Sequence, residues 1–142
     1  MPLSEAERQS FLAEPHIGAL AVARPDAGRA PLAVPIWYGY EPGGDLWITT
    51  GRDSAKAEAL ARAGRFSLLA DRVSPTVRYV SVEGPVVSSE PTTEEEKRDI
   101  ASRYLPPEAV GPFLEMAARE HGDQLTIRMR PEHWLSADLG GL

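Results

Sequence analysis

Residues 34–56 of the chain read VPIWYGYEPGGDLWITTGRDSAK. This segment predicts a strand, a tight turn, a second strand and then a helix with a lysine in its first turn. Residues 41–45 (EPGGD) give the clearest hairpin signal, because glycine adopts the positive φ angles of tight turns without strain. We therefore expect an antiparallel hairpin that leads directly into a helix.

The corner between the second strand and the helix has the composition of an anion-binding site. It contains hydroxyl, glycine and cationic residues: Thr49, Thr50, Gly51, Arg52, Ser54 and Lys56. Backbone N–H groups at a helix start, together with a nearby cation, suit one phosphate-sized anion. The aromatic-rich strand before the corner would support a flat ring, and a flat ring with a phosphate tail describes a flavin. An ordinary capped helix start with solvent-facing charges is the alternative on local pattern alone.

Aromatic residues are concentrated in the two strands of the hairpin, at Trp37, Tyr38, Tyr40 and Trp47. Side chains of a strand alternate between its two faces, so Trp37 and Trp47 need not face the same side. Packing in the core or at a subunit interface would explain each of them as well as contact with a ring does.

The composition predicts one acidic domain over residues 1–142. The chain has 142 residues, of which 42% are hydrophobic, enough for one core. Its formal net charge is −6 and its basic residues are spread out, which argues against a dedicated nucleic-acid-binding protein. Because the chain has no cysteine, disulfides, thiol nucleophiles and thiolate metal sites are excluded.

No targeting, membrane or metal pattern is visible in the sequence. The first residues lack a basic segment followed by an apolar one, and no apolar run approaches the roughly 20 residues that span a bilayer. We therefore expect a cytoplasmic protein without membrane contact. His16, His121 and His133 share no metal-ligand spacing, so no metal site is predicted.

The remaining segments predict a mainly β protein with helices, of the α+β class. A capping box formed by Ser4 and Glu7 begins a helix over 4–13. Further helices are expected from Asp53 or Ser54 to 63, over 93–104 with a solvated acidic start at 94–96, and over 107–120. Strands are expected over 17–23, 31–40, 46–50, 65–70, 77–88 with a bulge at 84–85, and 124–130, followed by a turn at 131–134. Six strands with few intervening helices suggest an antiparallel, closed or nearly closed barrel.

The order and spacing of these segments resemble the pyridoxamine 5′-phosphate oxidase-like family of flavin and deazaflavin proteins, over almost the whole chain. The segments that carry the resemblance are residues 17–23, 35–38 (PIWY), 46–51 (LWITTG), 54–60, 65–69, 78–84 (RYVSVEG) and 130–134 (RPEHW). The resemblance implies a six-stranded split β-barrel that forms a homodimer, with each cofactor held between two subunits.

The resemblance also implies where the cofactor would bind. Along its ring would lie Val34, Pro35, Ile36 and Trp37, and the corner formed by Thr49, Thr50, Gly51, Arg52, Ser54 and Lys56 would hold its phosphate. The second subunit would contribute Arg78, Tyr79 and Trp134. One departure is Ser54, where the family often has arginine, and Arg52 would replace that charge. The cofactor is expected to be FMN, with the deazaflavin F-420 as the alternative.

The implied function is an FMN- or F-420-dependent oxidoreductase that transfers hydride to or from an unidentified small organic molecule. No catalytic side chain can be named, because the sequence offers no clear acid–base pair, and the cofactor would supply the chemistry. The alternative is a non-catalytic protein that binds or carries a flavin, haem or another tetrapyrrole. Oxidation of pyridoxamine phosphate itself is not expected, since no second Arg/His cluster is present for a substrate phosphate.

Overall fold

The computed structural model describes residues 1–141, which form four helices and eight strands. The helices are α1 (Glu5–Ala13), α2 (Ala55–Ala63), α3 (Glu94–Tyr104) and α4 (Pro107–Glu120). The strands are β1 (Gly18–Val22), β2 (Leu32–Ile36), β3 (Tyr38–Gly39), β4 (Leu46–Gly51), β5 (Arg65–Arg72), β6 (Val77–Pro91), β7 (Gln124–Met129) and β8 (His133–Gly140).

The strands form an antiparallel split barrel, as the sequence predicted. Neighbouring strands follow the order β2-β1-β5-β6-β7-β4-β3, and β8 pairs with β6 beside this path. Only Trp37 separates β2 from β3, so the two ends of the path belong to one bent segment of chain. The long β6 joins the two halves, because its first part pairs with β5 and β8 and its last part with β7.

The strand count differs from the predicted six in two places. The single strand expected over 31–40 is divided at Trp37 into β2 and β3, since each half pairs with a different neighbour. The turn expected at 131–134 is wrong beyond its first residues, because His133 and Trp134 already belong to β8. Strand β8 is stabilised by pairing with β6 from Val77 to Glu83, a long-range contact that a local pattern does not reveal.

Local sequence signals explain where the helices begin and end. The Ser4 and Glu7 side chains form both bonds of the predicted capping box. Helix α2 begins after Ser54, whose hydroxyl accepts from the amide of Ala57, and ends at Gly64 in the left-handed conformation with φ 71°. On α2, Ala57, Ala59 and Leu60 are buried, whereas Ala61 is exposed.

A close backbone approach explains the predicted irregularity near Gly84. A Cβ atom at Gly84 would overlap the backbone carbonyl of Arg130. The register shift itself lies slightly later, between Val86 and Ser88, where β6 pairs with β7. Glycine is therefore required where β6 passes from one half of the barrel to the other.

One hydrophobic cluster fills the barrel and extends under α1 and α2. Its fully buried members include Leu12, Leu20, Tyr38, Ile48 and Leu68. Within residues 1–141, no helix is both long and apolar enough to span a membrane.

Candidate functional site

A cavity of about 750 Å³ lies between the strand–helix corner and the α3–α4 pair. The corner side is lined by Ile36, Trp37, Thr49 and Arg52, and the helical side includes Lys97, Ile100, Phe113, Leu114, Ala117 and His121. The volume falls within the roughly 300–1,000 Å³ that is typical of small-molecule sites. The cavity therefore contains four of the predicted site residues, and one wall of it was not predicted.

The corner itself is rigid because its hydroxyl groups bond to one another. The hydroxyl of Ser54 donates to the carbonyl of Gly51 (2.8 Å) and accepts from the amide of Ala57 (3.1 Å). The Thr50 hydroxyl lies 3.0 Å from the Ser54 hydroxyl and is the donor of that pair, since the Ser54 hydrogen is already used. Thr50 and Ser54 thus shape the corner, and among its hydroxyls it is Thr49 that lines the cavity.

The corner leaves positive charge and backbone donors available to an anion. The exposed side chain of Arg52 lines the cavity, and its amide donates to the carbonyl of Asp123 (2.9 Å), which ties the corner to the start of β7. Within residues 1–141, Lys56 is half-buried and forms no ion pair, and it lies beside the cavity without lining it; the ion pair on α2 joins Arg62 to Glu58. Of the first amides of α2, that of Ala57 is bonded to the Ser54 hydroxyl, so those of Ala55 and Lys56 are the ones without an intrahelical acceptor. These groups fit a phosphate.

Trp37 is held as a flat surface at the cavity by two aromatic side chains. Its ring stacks on Tyr104 of α3, with centroids 4.8 Å apart and an interplanar angle of 14°, and it meets Phe113 of α4 at 5.4 Å. The Tyr104 hydroxyl donates to the carbonyl of His16 (2.7 Å) and accepts from the amide of Tyr38 (3.1 Å). The orientation of Trp37 is therefore fixed before any ligand binds.

The N-terminal end of α3 is fixed by Glu96, whose role the sequence did not reveal. Its carboxylate accepts from the Thr93 amide (3.0 Å), from the buried Thr126 hydroxyl (3.0 Å) and from Arg128 (2.8 Å). Burial would raise the pKa of Glu96, but these hydrogen bonds outweigh it and hold the pKa below its usual value. The prediction that residues 94–96 are a solvated helix start is therefore wrong for Glu96, while Glu94 and Glu95 are exposed.

Val34 and Pro35 lie on opposite faces of β2 and do not line the cavity. Val34 packs against the core, whereas Pro35 is exposed on the outer face of the sheet. Strand β2 pairs with β1 alone and ends the described strand order, so its other edge is open. Of the segment predicted to lie along the ring, Ile36 and Trp37 therefore line the cavity, and β2 adds its unpaired backbone edge.

Arg78, Tyr79 and Trp134 lie away from the cavity of their own chain. The Arg78 guanidinium donates to Asp138 (2.9 Å), and Trp134 meets Tyr40 edge-on at 6.4 Å with the Arg8 guanidinium above its ring. Tyr79 pairs across from Ala137 of β8. The expectation that a second subunit brings these three residues to the cofactor stays a prediction.

The sequence did not predict the helical wall as part of the site, because apolar residues at helical spacing are common. The sequence predicts both helices, but an apolar helix face usually packs on the core, and of α4 only Val110 is buried. Phe113, Leu114 and Ala117 instead remain at the cavity.

A smaller cavity of about 220 Å³ lies beside Trp134 and Arg8. In the described part of the chain, no group of three or more His, Asp or Glu residues is placed to hold a metal ion.

Comparison with known proteins identifies relatives of this arrangement. A family model described as pyridoxamine 5′-phosphate oxidase matches residues 4–137. A search of curated proteins finds no match. Among solved structures, a conserved hypothetical protein from Mycobacterium tuberculosis is 27% identical, with a TM-score of 0.72 over 96% of this chain and 85% of that one.

Two further structures share the fold at lower identity. An F-420 reductase is 22% identical, with a TM-score of 0.70 over 89% of this chain and 94% of that one. An FAD-binding protein from Mesorhizobium loti is 18% identical, with a TM-score of 0.62 over 97% of this chain and 95% of that one. At these identities the two structures establish the fold and nothing more.

Proposed function

The chain belongs to the pyridoxamine 5′-phosphate oxidase family, and on that premise we propose that it is a flavin-dependent oxidoreductase acting on a small organic molecule. The observation that carries this proposal is the cavity in which an ordered aromatic surface, Trp37, lies beside the cationic corner at Arg52. When bound, a flavin or deazaflavin supplies reversible hydride transfer at its ring. FMN is the proposed cofactor, with F-420 as the alternative.

The residues of the chain would bind and orient this cofactor. The open edge of β2 offers backbone donors and acceptors to the polar edge of a ring, and Trp37 supports its face. Arg52, Lys56 and the first amides of α2 would hold the phosphate. The Thr50 and Ser54 hydroxyls act indirectly, because they fix the backbone that presents those amides.

Titration of the apoprotein with FMN, riboflavin and F-420 tests this assignment. Lys56→Ala is expected to weaken FMN binding by about 1.5–3 kcal/mol, the range of a charge-assisted hydrogen bond, while riboflavin binding changes little because it lacks the phosphate. Arg62→Ala removes a charge from the far end of the same helix and serves as the control. Equal losses for FMN and riboflavin would show that Lys56 acts through folding, and failure of both FMN and F-420 to bind below about 100 μM would refute the proposed cofactors.

A non-catalytic carrier of a flavin or tetrapyrrole is the second candidate. It is supported by the described lining of the cavity, in which no hydrogen bond joins His121 to the Glu94 or Asp123 carboxylate. Stopped-flow reduction of the bound cofactor by NADPH or by a reduced-deazaflavin system separates the two functions. A tightly bound cofactor that is neither reduced nor reoxidised by any donor and acceptor would favour the carrier.

We further propose that the working unit is a homodimer with shared cofactor sites. Cross-strand neighbours on the outer face of the sheet form a row across five strands: Pro35, Ala19, Leu69, Ser81 and Leu135. Leu135 is 66% exposed and Leu69 is 38% exposed. Apart from Ser81 the row is apolar, and exposed apolar patches usually mark an interface. The open edge of β2 lies beside this row, so a second copy there would also border the cofactor.

Light scattering, which measures the oligomeric state, and flavin fluorescence, which reports bound cofactor, together test the proposed dimer with shared sites. Leu135→Glu is expected to yield monomers and to release the cofactor, because half of each shared site would be lost. Val73→Glu adds the same charge at an exposed apolar residue outside the row and should leave both unchanged. A monomeric Leu135→Glu variant that retains its cofactor would refute shared sites. The expected cytoplasmic location stays a prediction.

A further inference from the structure

The helical wall of the cavity has a composition that distinguishes it from the corner wall. Its side chains are mainly apolar, with Phe113, Leu114 and Ala117 from α4 and the nearly buried Ile100 from α3. None of these residues belongs to the predicted cofactor site. We infer that this wall is the subsite of the second reactant, and that it selects an uncharged, apolar molecule containing a flat ring. This inference rests on the proposed function.

The charges around the cavity support an uncharged ligand. The described lining contains two cations, Arg52 and Lys97, two carboxylates, Glu94 and Asp123, and the imidazole of His121. The Lys97 ammonium already lies 3.1 Å from the exposed Glu94 carboxylate, which offsets part of its charge. Arg52 belongs to the corner wall, where a phosphate would use it. A carboxylate placed against the α4 part of this wall would lose water, and the side chains there carry no positive charge to replace it: Phe113, Leu114, Ala117 and Ala118.

The aromatic side chains support a flat ring. The Trp37 and Phe113 rings meet at the cavity with centroids 5.4 Å apart and planes tilted by 36°. Stacking on Tyr104 prevents Trp37 from rotating away. Because Trp37 is assigned to the cofactor, the ring that this wall offers to a second reactant is that of Phe113, beside the aliphatic surface of α4, and an aromatic ring favours stacking of a planar molecule. The subsite is also preformed, so binding does not have to order these side chains.

A matched pair of probes tests the inference by calorimetry on the whole chain. Naphthalene-2-carboxamide and naphthalene-2-carboxylate share one ring system and differ mainly in charge. The carboxamide is expected to bind at least about tenfold more tightly, since only the carboxylate loses favourable hydration of a charge. Binding should persist when the protein is saturated with FMN. Equal or tighter binding of the carboxylate, no saturable binding of the carboxamide, or its displacement by FMN would overturn the inference.

Cavity-filling variants locate the probe. Ala117→Phe and Ala118→Phe each place a ring at the helical wall, and each should weaken carboxamide binding at least about tenfold. Using both keeps the test valid if the half-buried Ala117 does not accept phenylalanine, because Ala118 is exposed. Ala6→Phe, on the exposed side of α1, is the control and should change binding by less than about twofold. Carboxamide binding that neither wall variant weakens would place the probe elsewhere and overturn the subsite.

The same titrations separate this inference from the proposed function. A protein that binds the carboxamide at the helical wall but binds neither FMN nor F-420 would retain the apolar subsite and lose the flavin assignment. A protein that binds FMN through Lys56 but shows no carboxamide binding would retain the flavin assignment and lose the subsite.

Discussion

Replacement of Glu96 by alanine is expected to lower the free energy of unfolding by about 2 kcal/mol. The carboxylate accepts three hydrogen bonds, from the Thr93 amide, the Thr126 hydroxyl and the Arg128 guanidinium. At about 0.5–1 kcal/mol for each bond of a partly exposed group, their loss sums to roughly that value. For a chain of this length, the melting temperature should fall by about 5–10 °C.

Two further variants separate charge from hydrogen bonding. Glu96→Gln keeps acceptors for Thr93 and Thr126 but loses the charge that faces Arg128, so its cost at neutral pH should be at most about 1 kcal/mol. Glu95→Ala, at the exposed neighbouring position, should cost no more than about 0.5 kcal/mol and controls for the acidic first turn.

The pH dependence follows from the lowered pKa of Glu96. Burial opposes ionisation, but the bonds from Thr93, Arg128 and Thr126 favour it more, so the folded state holds this proton less tightly than the unfolded state does. The resulting stability is present above the pKa of the unfolded state and is lost as pH falls through the lower, folded-state pKa. Urea denaturation should show the gap between the natural chain and Glu96→Gln closing as pH falls. A gap that is independent of pH, or a cost of Glu96→Ala below about 0.5 kcal/mol, would refute this account.

Two other predictions concern stability. Gly84→Ala should lower the free energy of unfolding, measured by urea denaturation, by about 1–3 kcal/mol, because the new Cβ overlaps the carbonyl of Arg130. Gly111→Ala on α4, where the new Cβ meets open space, is the control and should raise that free energy by about 0.5–1 kcal/mol. Similar effects of both substitutions would contradict the close approach at Gly84. Hydrogen bonds from the Gly140 amide and other donors lower the pKa of Asp138 to about 2. Asp138→Asn should therefore lower the stability of the fold at neutral pH, and this loss should shrink as pH falls from about 4 towards 2. A loss of stability that stays constant across this range would show that the charge of Asp138 is unimportant.

Structural features that depend on residues close together in the sequence could be predicted. The capping box at Ser4, the left-handed Gly64 after α2 and the hairpin at 41–45 depend on residues within a few positions of one another. In that hairpin, Gly43 has φ 84° and the Gly44 amide donates to the carbonyl of Glu41 (2.9 Å). The cationic corner was predicted for the same reason, since a helix start and its flanking charges are local, and its binding of a phosphate stays a prediction.

Features that depend on distant partners could not be predicted. Strand β8 exists because residues 133–140 pair with β6, more than 40 positions earlier in the chain. Glu96 is bonded to Thr126 and Arg128 of β7, although the two acids before it in the sequence, Glu94 and Glu95, are exposed. The cavity has the same origin. Its corner wall is visible in the sequence, but its helical wall depends on where α3 and α4 pack.

Both ends of helix α3 are anchored to other elements of the fold. Glu96 fixes its start to β7, and the Arg103 guanidinium fixes its end by donating to the carbonyls of Ala13 and Glu14 (2.8 Å each). Next to Arg103, Tyr104 stacks on Trp37. The cavity wall is therefore part of the folded framework, whereas Arg52 and Lys56 at the corner keep long, unpaired side chains. In the proposed function, the rigid wall would select rings by shape, and the two cations of the corner would adapt to a phosphate.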